Sequence, residues 1–355
     1  MNSTFIDLKQ RIKQDFDNLL PNSFTVINLN ERTVTILIVK RRIFPLRIKI
    51  NDAIQRRLPV NHPKLPEVLQ DSMKIRAGHK GEEALDYYTS LLHEDEFHIF
   101  QGLRLKTGQS HFQIDSLLLS PSFALIIDSK NMAGILTFHS HFNQMERTFN
   151  DKTDIYEDPI LQVKRHRLLL IKWLKDHSFP QIPIEYLVFS SNPATALRNP
   201  SNDQEVYQRV CPPGKIIFKI EEFISRYKKE LLSIKEFKRL SKLLLKSDIP
   251  AGSHLHQFKI DSSEYLTGVQ CPSCSKYAME WYSGTWNCPL CRRTAKNAHN
   301  QALGDYFLLI NDTITNQQLR KFLHIHSPKL ATKLLSKSNL KCHESTRRSC
   351  YYTPH

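Results

Sequence analysis

The sequence predicts an α/β core, then a four-cysteine ribbon, then a small helix-turn-helix-like module. Three observations carry that expectation. Strand-like runs at Phe97–Leu105, Phe112–Leu119, Phe123–Lys130 and Ile184–Ser190 interleave with helical patterns at Gly78–Leu92 and Asp158–Lys175. Two Cys-x-x-Cys pairs, Cys271/Cys274 and Cys288/Cys291, are separated only by residues 275–287. Beyond them, two short helical patterns flank His326-Ser327-Pro328, and aromatic and basic residues close the chain.

Taken in order, residues 1–20 carry Phe5, Leu8, Ile12, Phe16 and Leu19 at helical spacing, and Phe24–Leu29 and Val34–Lys40 read as strands. Pro59, Pro63 and Pro66 punctuate residues 55–75, which are expected to form an irregular arm. From Gly78 a helix begins, with Leu85, Tyr88, Leu91 and Leu92 on one face. The strands follow, continued by Gly134–His139 and Gln144–Thr148. Glu157-Asp158-Pro159 is an acidic start for the next helix. Residues 192–213 hold four prolines and read as a loop; 220–247 are helical and basic. The expected divisions are an N-terminal extension and arm (1–75), the α/β domain (76–192), a helical connector (193–262), the ribbon (268–296) and the C-terminal module (300–355).

Composition narrows the function classes. Hydrophobic residues are 40% and charged residues 24% of 355, enough for buried cores and too balanced for a disordered chain. Fifty Lys and Arg against thirty-five Asp and Glu leave a net charge of +15, which favours polyanionic partners, nucleic acid first. Solubility alone is the plain alternative. No apolar run approaches the roughly 20 residues of a membrane span, and Met1–Phe16 has no apolar signal core. A cytoplasmic protein without a membrane partner is expected. In that reducing compartment the clustered cysteines read as metal ligands rather than disulfides, while Cys211, Cys342 and Cys350 show no partner pattern. Neither a phosphate-binding glycine loop nor a dinucleotide fingerprint occurs.

The most informative segment is Gln113-Ile114-Asp115, followed by Ile126-Ile127-Asp128-Ser129-Lys130. Alternate strand residues share a face, so Asp128 and Lys130 point together. A tight turn at Pro121-Ser122 pairs Asp115 with Asp128, with Cβ atoms about 5 Å apart. Two carboxylates so close need a counter-charge, which a divalent cation and Lys130 would supply. The competing reading is a solvated Asp115 beside a simple Asp128–Lys130 ion pair. Glu82 is a third acid within reach of the sheet, or a first-turn acid favoured by the helix dipole. Gln162 sits on a face continued by Arg165 or His166 and Leu169, where it could bond a ligand or simply be exposed.

Gly78-His79-Lys80-Gly81-Glu82, Phe112-Gln113-Ile114-Asp115, Asp128-Ser129-Lys130-Asn131 with Gly134, and Asp158-Pro159-Ile160-Leu161-Gln162 together resemble the nuclease-related domain family. Asn143-Gln144 and Arg147 extend the likeness, and the cysteine unit and tail look like those of Bacillus-type members. That family is taken to belong to the PD-(D/E)xK nuclease superfamily. The resemblance implies a restriction-endonuclease-like core, a mixed sheet flanked by helices, with a metal-dependent phosphodiesterase site. By motif Glu82 would be the helix acid, Asp115 and Asp128 the ligands of Mg²⁺ or Mn²⁺, Lys130 the lysine and Gln162 the helix glutamine. One position departs: the family more often has Glu where Asp128 stands, and the superfamily accepts either.

Cys271, Cys274, Cys288 and Cys291 can close a tetrahedral Zn²⁺ site with no open position, so the ion would be structural. An iron–sulfur centre also takes four cysteines. Arg292 and Arg293 follow the last ligand and suit a nucleic-acid contact or a solvated edge. In the tail, Thr315 or Asn316 caps a helix bearing Leu319, Phe322 and Leu323. Lys329, Lys333 and Lys337 then fall outward on a second helix, and Arg347-Arg348 with Tyr351-Tyr352 suit a hairpin. This reads as a winged helix-turn-helix placing the lysines along DNA, or as a helical cap with a solvated lysine face. The favoured function is Mg²⁺-dependent cleavage of DNA in processing or repair. The rival is a DNA-binding protein that uses the nuclease-like fold as a scaffold.

Overall fold

The computed structural model describes residues 27–29, 32–34, 37–92, 97–250, 255–338, 340–345 and 348–352. The helix expected over residues 1–20 lies outside them. The described residues form two compact units: those within 1–43 and 78–251, and those within 44–77 and 252–355.

The first unit is built on a six-stranded mixed sheet. Its strands come after a short ribbon, β1 (Ile27–Leu29) and β2 (Arg32–Val34). They are β3 (Leu37–Lys40), β4 (His98–Thr107), β5 (Ser110–Leu119), β6 (Ala124–Lys130), β10 (Ile184–Ser190) and β12 (Val210–Cys211). The order is β12-β10-β6-β5-β4-β3, with β4, β5 and β6 antiparallel and the remaining pairs parallel. A second sheet joins β7 (Gly134–His139), β8 (Gln144–Phe149), β9 (Lys152–Glu157) and β11 (Thr195–Arg198).

Strand periodicity divides the core. Leu117, Leu119, Ala124, Ile126 and Val188 face helix α3 (Pro159–Asp176), which contributes Val163, Leu170 and Trp173. Their neighbours Leu118, Leu125, Ile127, Leu187 and Phe189 pack on Leu85 of α2 (Leu65–Thr89) and on Ile216, Ile220 and Phe223 of α5 (Ile216–Arg226). Burial on both faces explains the near-continuous apolar runs. Residues 192–213, read as loop, carry β11, β12 and the short α4 (Gln204–Arg209). A capped helix, α6 (Ile234–Lys246), completes the unit.

Helix α2 corrects another expectation. It starts at Leu65, so residues 65–75 are helical rather than an irregular arm. Pro66 sits in the first turn, where the missing N–H costs nothing. Gly78 and Gly81 lie inside the helix at a tolerable roughly 1 kcal/mol each. Preceding it, α1 (Leu46–Arg57) belongs with the second unit, together with the first part of α2.

The second unit contains a three-stranded ribbon, β13 (Glu280–Tyr282), β14 (Thr285–Asn287) and β15 (Thr294–Ala295). It is followed by α7 (Ala298–Leu309), which the sequence reading did not identify. Strand β16 (Thr313–Thr315), α8 (Asn316–Leu323), α9 (Pro328–Lys337) and the hairpin β17 (Lys341–Ser345)–β18 (Arg348–Tyr352) complete it, with β18 between β16 and β17. Thr315 caps α8 with a full capping box. The buried Arg57 ties this unit together: it bonds Asp305 at 2.9 Å and the carbonyls of Leu266 and Gly268, and lies over the rings of Tyr277 and Phe322.

Candidate metal centres

The β5–β6 ladder runs from Leu119↔Ala124 to Ser116↔Ile127, the register expected from a turn at Pro121-Ser122. Asp115 and Asp128 are the next residue on each strand. There the ladder stops, and Asp115 Oδ2 accepts the Ser129 backbone N–H at 2.9 Å. Gly102 stands opposite Asp115 in the β4–β5 register. Its φ of +64° is the left-handed backbone that glycine adopts without strain.

Asp128 is buried on the α3 side of the sheet. Lys130 Nζ lies 2.6 Å from Asp128 Oδ2 and donates to Gln162 Oε1 at 2.9 Å. The Asp128 contact is an ion pair without hydrogen-bond alignment, and Oδ2 is a buried oxygen with no hydrogen bond. Burial holds the Asp115 carboxyl well above the usual carboxylate range; the charges of Asp128 and Glu82 push the same way, against the Ser129 N–H and Lys130. Burial and the neighbouring carboxylates hold Asp115 against ionisation even with the Lys130 ammonium at Asp128, so this pair fits a divalent cation.

A cleft of about 440 Å³ opens over the pair, lined also by His111, Phe112, Gln113, Gln162, Arg165, His166 and Leu169. His166 lies one turn beyond Gln162 on α3. Burial lowers its pKa, with Asp128 opposing, so the ring is neutral at neutral pH. The structure thus brings Asp115, Asp128 and Gln162 to one cleft, with Lys130 held by Asp128 and Gln162. Glu82 behaves differently: its carboxylate is bound by Arg42, and burial raises its pKa despite that partner. Arg42 was missed in the sequence reading. Nothing in its local sequence marks it, because its role comes from the β3–β4 pairing.

Residues 77–191 match the family model of the nuclease-related domain. The matched stretch runs from the α2 glycines through β10 and contains Glu82, Asp115, Asp128, Lys130 and Gln162, but not Arg42. Searches of curated proteins and of solved structures returned no match. The match covers less than half of the chain, and divalent-metal use and nucleic-acid interaction are what such a domain suggests.

The four cysteines form the second centre. Their sulfurs all lie within 4.8 Å of one another, the only such group of His, Cys, Asp and Glu among the described residues. Cys271 and Cys291 Sγ are 3.5 Å apart, and Cys274 and Cys288 Sγ 3.6 Å. A tetrahedral Zn²⁺ with bonds near 2.3 Å sets sulfurs about 3.8 Å apart, so the cluster is compatible with a zinc ribbon. The two knuckles repeat one another. Ser275 N bonds Cys271 O and Arg292 N bonds Cys288 O, each at 2.9 Å. Both donors have left-handed backbone, with φ of +58° and +60°. Burial opposes ionisation of Cys271, but the backbone N–H groups of Cys274 and Ser273 bring its thiol down to about 7.

Arg292 and Arg293 are exposed beside the last ligand, and Lys329, Lys333 and Lys337 are exposed along α9. Arg347 lies outside the described residues, as does the side chain of Arg348. No helix among the described residues is long and apolar enough to cross a membrane.

Proposed function

We propose that the protein is a metal-dependent phosphodiesterase that cleaves DNA. The observation that carries this reading is the convergence of Asp115, Asp128 and Gln162 on one cleft, with Lys130 bound to the latter two. Asp115 and Asp128 would hold Mg²⁺ or Mn²⁺, which when bound polarises a phosphoryl oxygen and lowers the pKa of a coordinated water. The chain's own residues do the rest. Gln162 and Asp128 fix Lys130 Nζ beside the carboxylates, where it would meet charge developing on the phosphate. The Ser129 N–H fixes the Asp115 carboxylate. Neutral His166, on the cleft wall, can accept or relay a proton. Zn²⁺ in the cysteine cluster would be structural. Exposed Lys329, Lys333 and Lys337, with Arg292, Arg293, Arg347 and Arg348, would contact phosphates in a winged helix-turn-helix manner. A cytoplasmic location and a role in DNA processing or repair belong to the same proposal.

The test is incubation of the purified chain with supercoiled, linear and single-stranded DNA in Mg²⁺ or Mn²⁺. Asp115→Ala and Lys130→Ala should each cut cleavage by about 100-fold or more. DNA binding should weaken steeply between low and physiological salt, since phosphate contacts release counterions. Salt-sensitive binding without cleavage by the wild-type chain would instead select the scaffold reading.

A further inference from the structure

Arg42 reaches the carboxylate site from outside the matched segment. Strand β3 pairs in parallel with β4, Leu37 against His98 and Ile38 against Ile99. Beyond it, Lys40 Nζ donates to the carbonyls of Gln101 and Gly102, at 2.9 and 2.7 Å. The Arg42 backbone N–H donates to Gln101 Oε1 at 3.0 Å. The guanidinium is thereby fixed, and only 7% of the side chain is exposed.

Every arm of it is engaged. Nε and Nη2 donate to the two Asp86 oxygens at 2.7 and 2.9 Å. Nη1 donates to Glu82 Oε2 at 2.5 Å, and Nη2 also donates to the Asp115 carbonyl at 2.7 Å. A guanidinium therefore stands where a cation between Glu82 and Asp86 would stand, and it touches the backbone of a proposed metal ligand. No group of three acidic, histidine or cysteine ligands forms here among the described residues. Any divalent ion sharing Glu82 would meet a fixed positive charge at hydrogen-bond range.

We propose that Arg42 is a positioning residue that fills the cation position beside Glu82, so that the carboxylate site takes one divalent ion, held by Asp115 and Asp128. Glu82 then anchors Arg42 and, through it, the Asp115 strand, without coordinating metal. This rests on the reading of Asp115 and Asp128 as metal ligands.

The test counts Mn²⁺ bound to the full zinc-loaded chain by electron paramagnetic resonance. One Mn²⁺ per chain is expected, lost in Asp128→Asn. Glu82→Gln should keep that ion with affinity changed less than about threefold. Arg42→Met should raise the count to two, because Glu82 and Asp86 are left without their cation; a merely structural arginine would not change the count. Arg42→Gln repeats that test if Arg42→Met does not fold. Two ions in the wild-type chain, a tenfold or greater loss in Glu82→Gln, or an unchanged count in the folded Arg42 variants would overturn the proposal. Unchanged Mn²⁺ binding in Asp128→Asn would instead remove the metal-site reading beneath it.

Discussion

The four cysteines and the two aspartates both gather anionic side chains within a small volume, yet from opposite kinds of sequence. The cysteines lie within residues 271–291, and each knuckle closes its own turn through backbone bonds that span four or five residues. The aspartates meet a lysine on the strand of Asp128, a glutamine on a helix some thirty residues later and an arginine just past the end of β3, far upstream. The local centre would gain its order from an ion. The dispersed centre gains it from the sheet that carries both aspartates. This difference teaches that similar charge density can have opposite consequences for stability.

The largest expected effect follows directly. Structural zinc contributes on the order of 10 kcal/mol or more to small cysteine sites. Cys288→Ser should therefore release the metal and disorder the ribbon, read as loss of zinc and a red shift of Trp281 and Trp286 fluorescence. Asp128→Asn should lose Mn²⁺ while leaving the thermal midpoint close to that of the wild type. A ribbon that kept its tryptophan signal in Cys288→Ser would break the contrast.

The same difference decides what the sequence reveals. Cysteine spacing marks the ribbon, and the hairpin register follows from the Pro121-Ser122 turn and alternation alone, so the placement of Asp115 and Asp128 next to one another was legible in the sequence. The α3 start was legible because Asp158 is a capping residue before a proline, and its side chain does accept the Ile160 N–H at 2.8 Å. Arg42 was not legible: its partners lie 40 to 73 residues away and depend on a parallel edge strand. Nor was the union of residues 44–77 with the C-terminal unit, where Arg56 and Arg57 meet Asp305 and Ile54 and Leu58 pack with Phe258, Tyr265 and Leu309. Prolines misled at residues 65–75, because a proline in a first turn starts a helix as readily as it ends one.

A smaller effect probes how tightly the dispersed centre is framed. A Cβ built on Gly81 would lie 2.7 Å from Asn131 Cβ and 2.7 Å from Ser191 Oγ. That glycine lets α2 approach the ends of β6 and β10. Gly81→Ala should cost about 1–3 kcal/mol through overpacking, seen as a lower denaturation midpoint. Gly78 has nothing within 4 Å of such an atom, so Gly78→Ala should stabilise the helix by up to about 1 kcal/mol. Equal effects at the two glycines would show that the frame is loose.

The framework should also carry an acid sensitivity remote from the carboxylates. Burial, with Lys238 nearby, lowers His98 to about 4 from an ordinary 6.5. Its Nδ1 meets Ser241 Oγ and its ring lies against Phe237. The unfolded chain then binds the extra proton more readily than the folded one. Stability contributed by neutral His98 is full above about pH 6.5 and is lost as pH falls towards 4. Denaturant midpoints across that window should flatten in His98→Asn and stay steep in Asp115→Asn.

The smallest expected effect returns to the ribbon and separates its structural part from its surface. Ser275 and Arg292 occupy equivalent left-handed positions after the second cysteine of each knuckle. A side chain there is strained, and glycine is not. Ser275→Gly and Arg292→Gly should each raise the ribbon's stability by about 0.5–1 kcal/mol, measured as slower zinc loss to a chelator. Their effects on DNA should differ. Arg292→Gly removes an exposed cation, so it should weaken DNA binding and lower the salt slope by about one contact, whereas Ser275→Gly should leave both unchanged. If Arg292→Gly slows zinc loss without altering DNA affinity, that arginine is a solvated edge residue held at a strained position, and the phosphate contacts of this unit lie elsewhere.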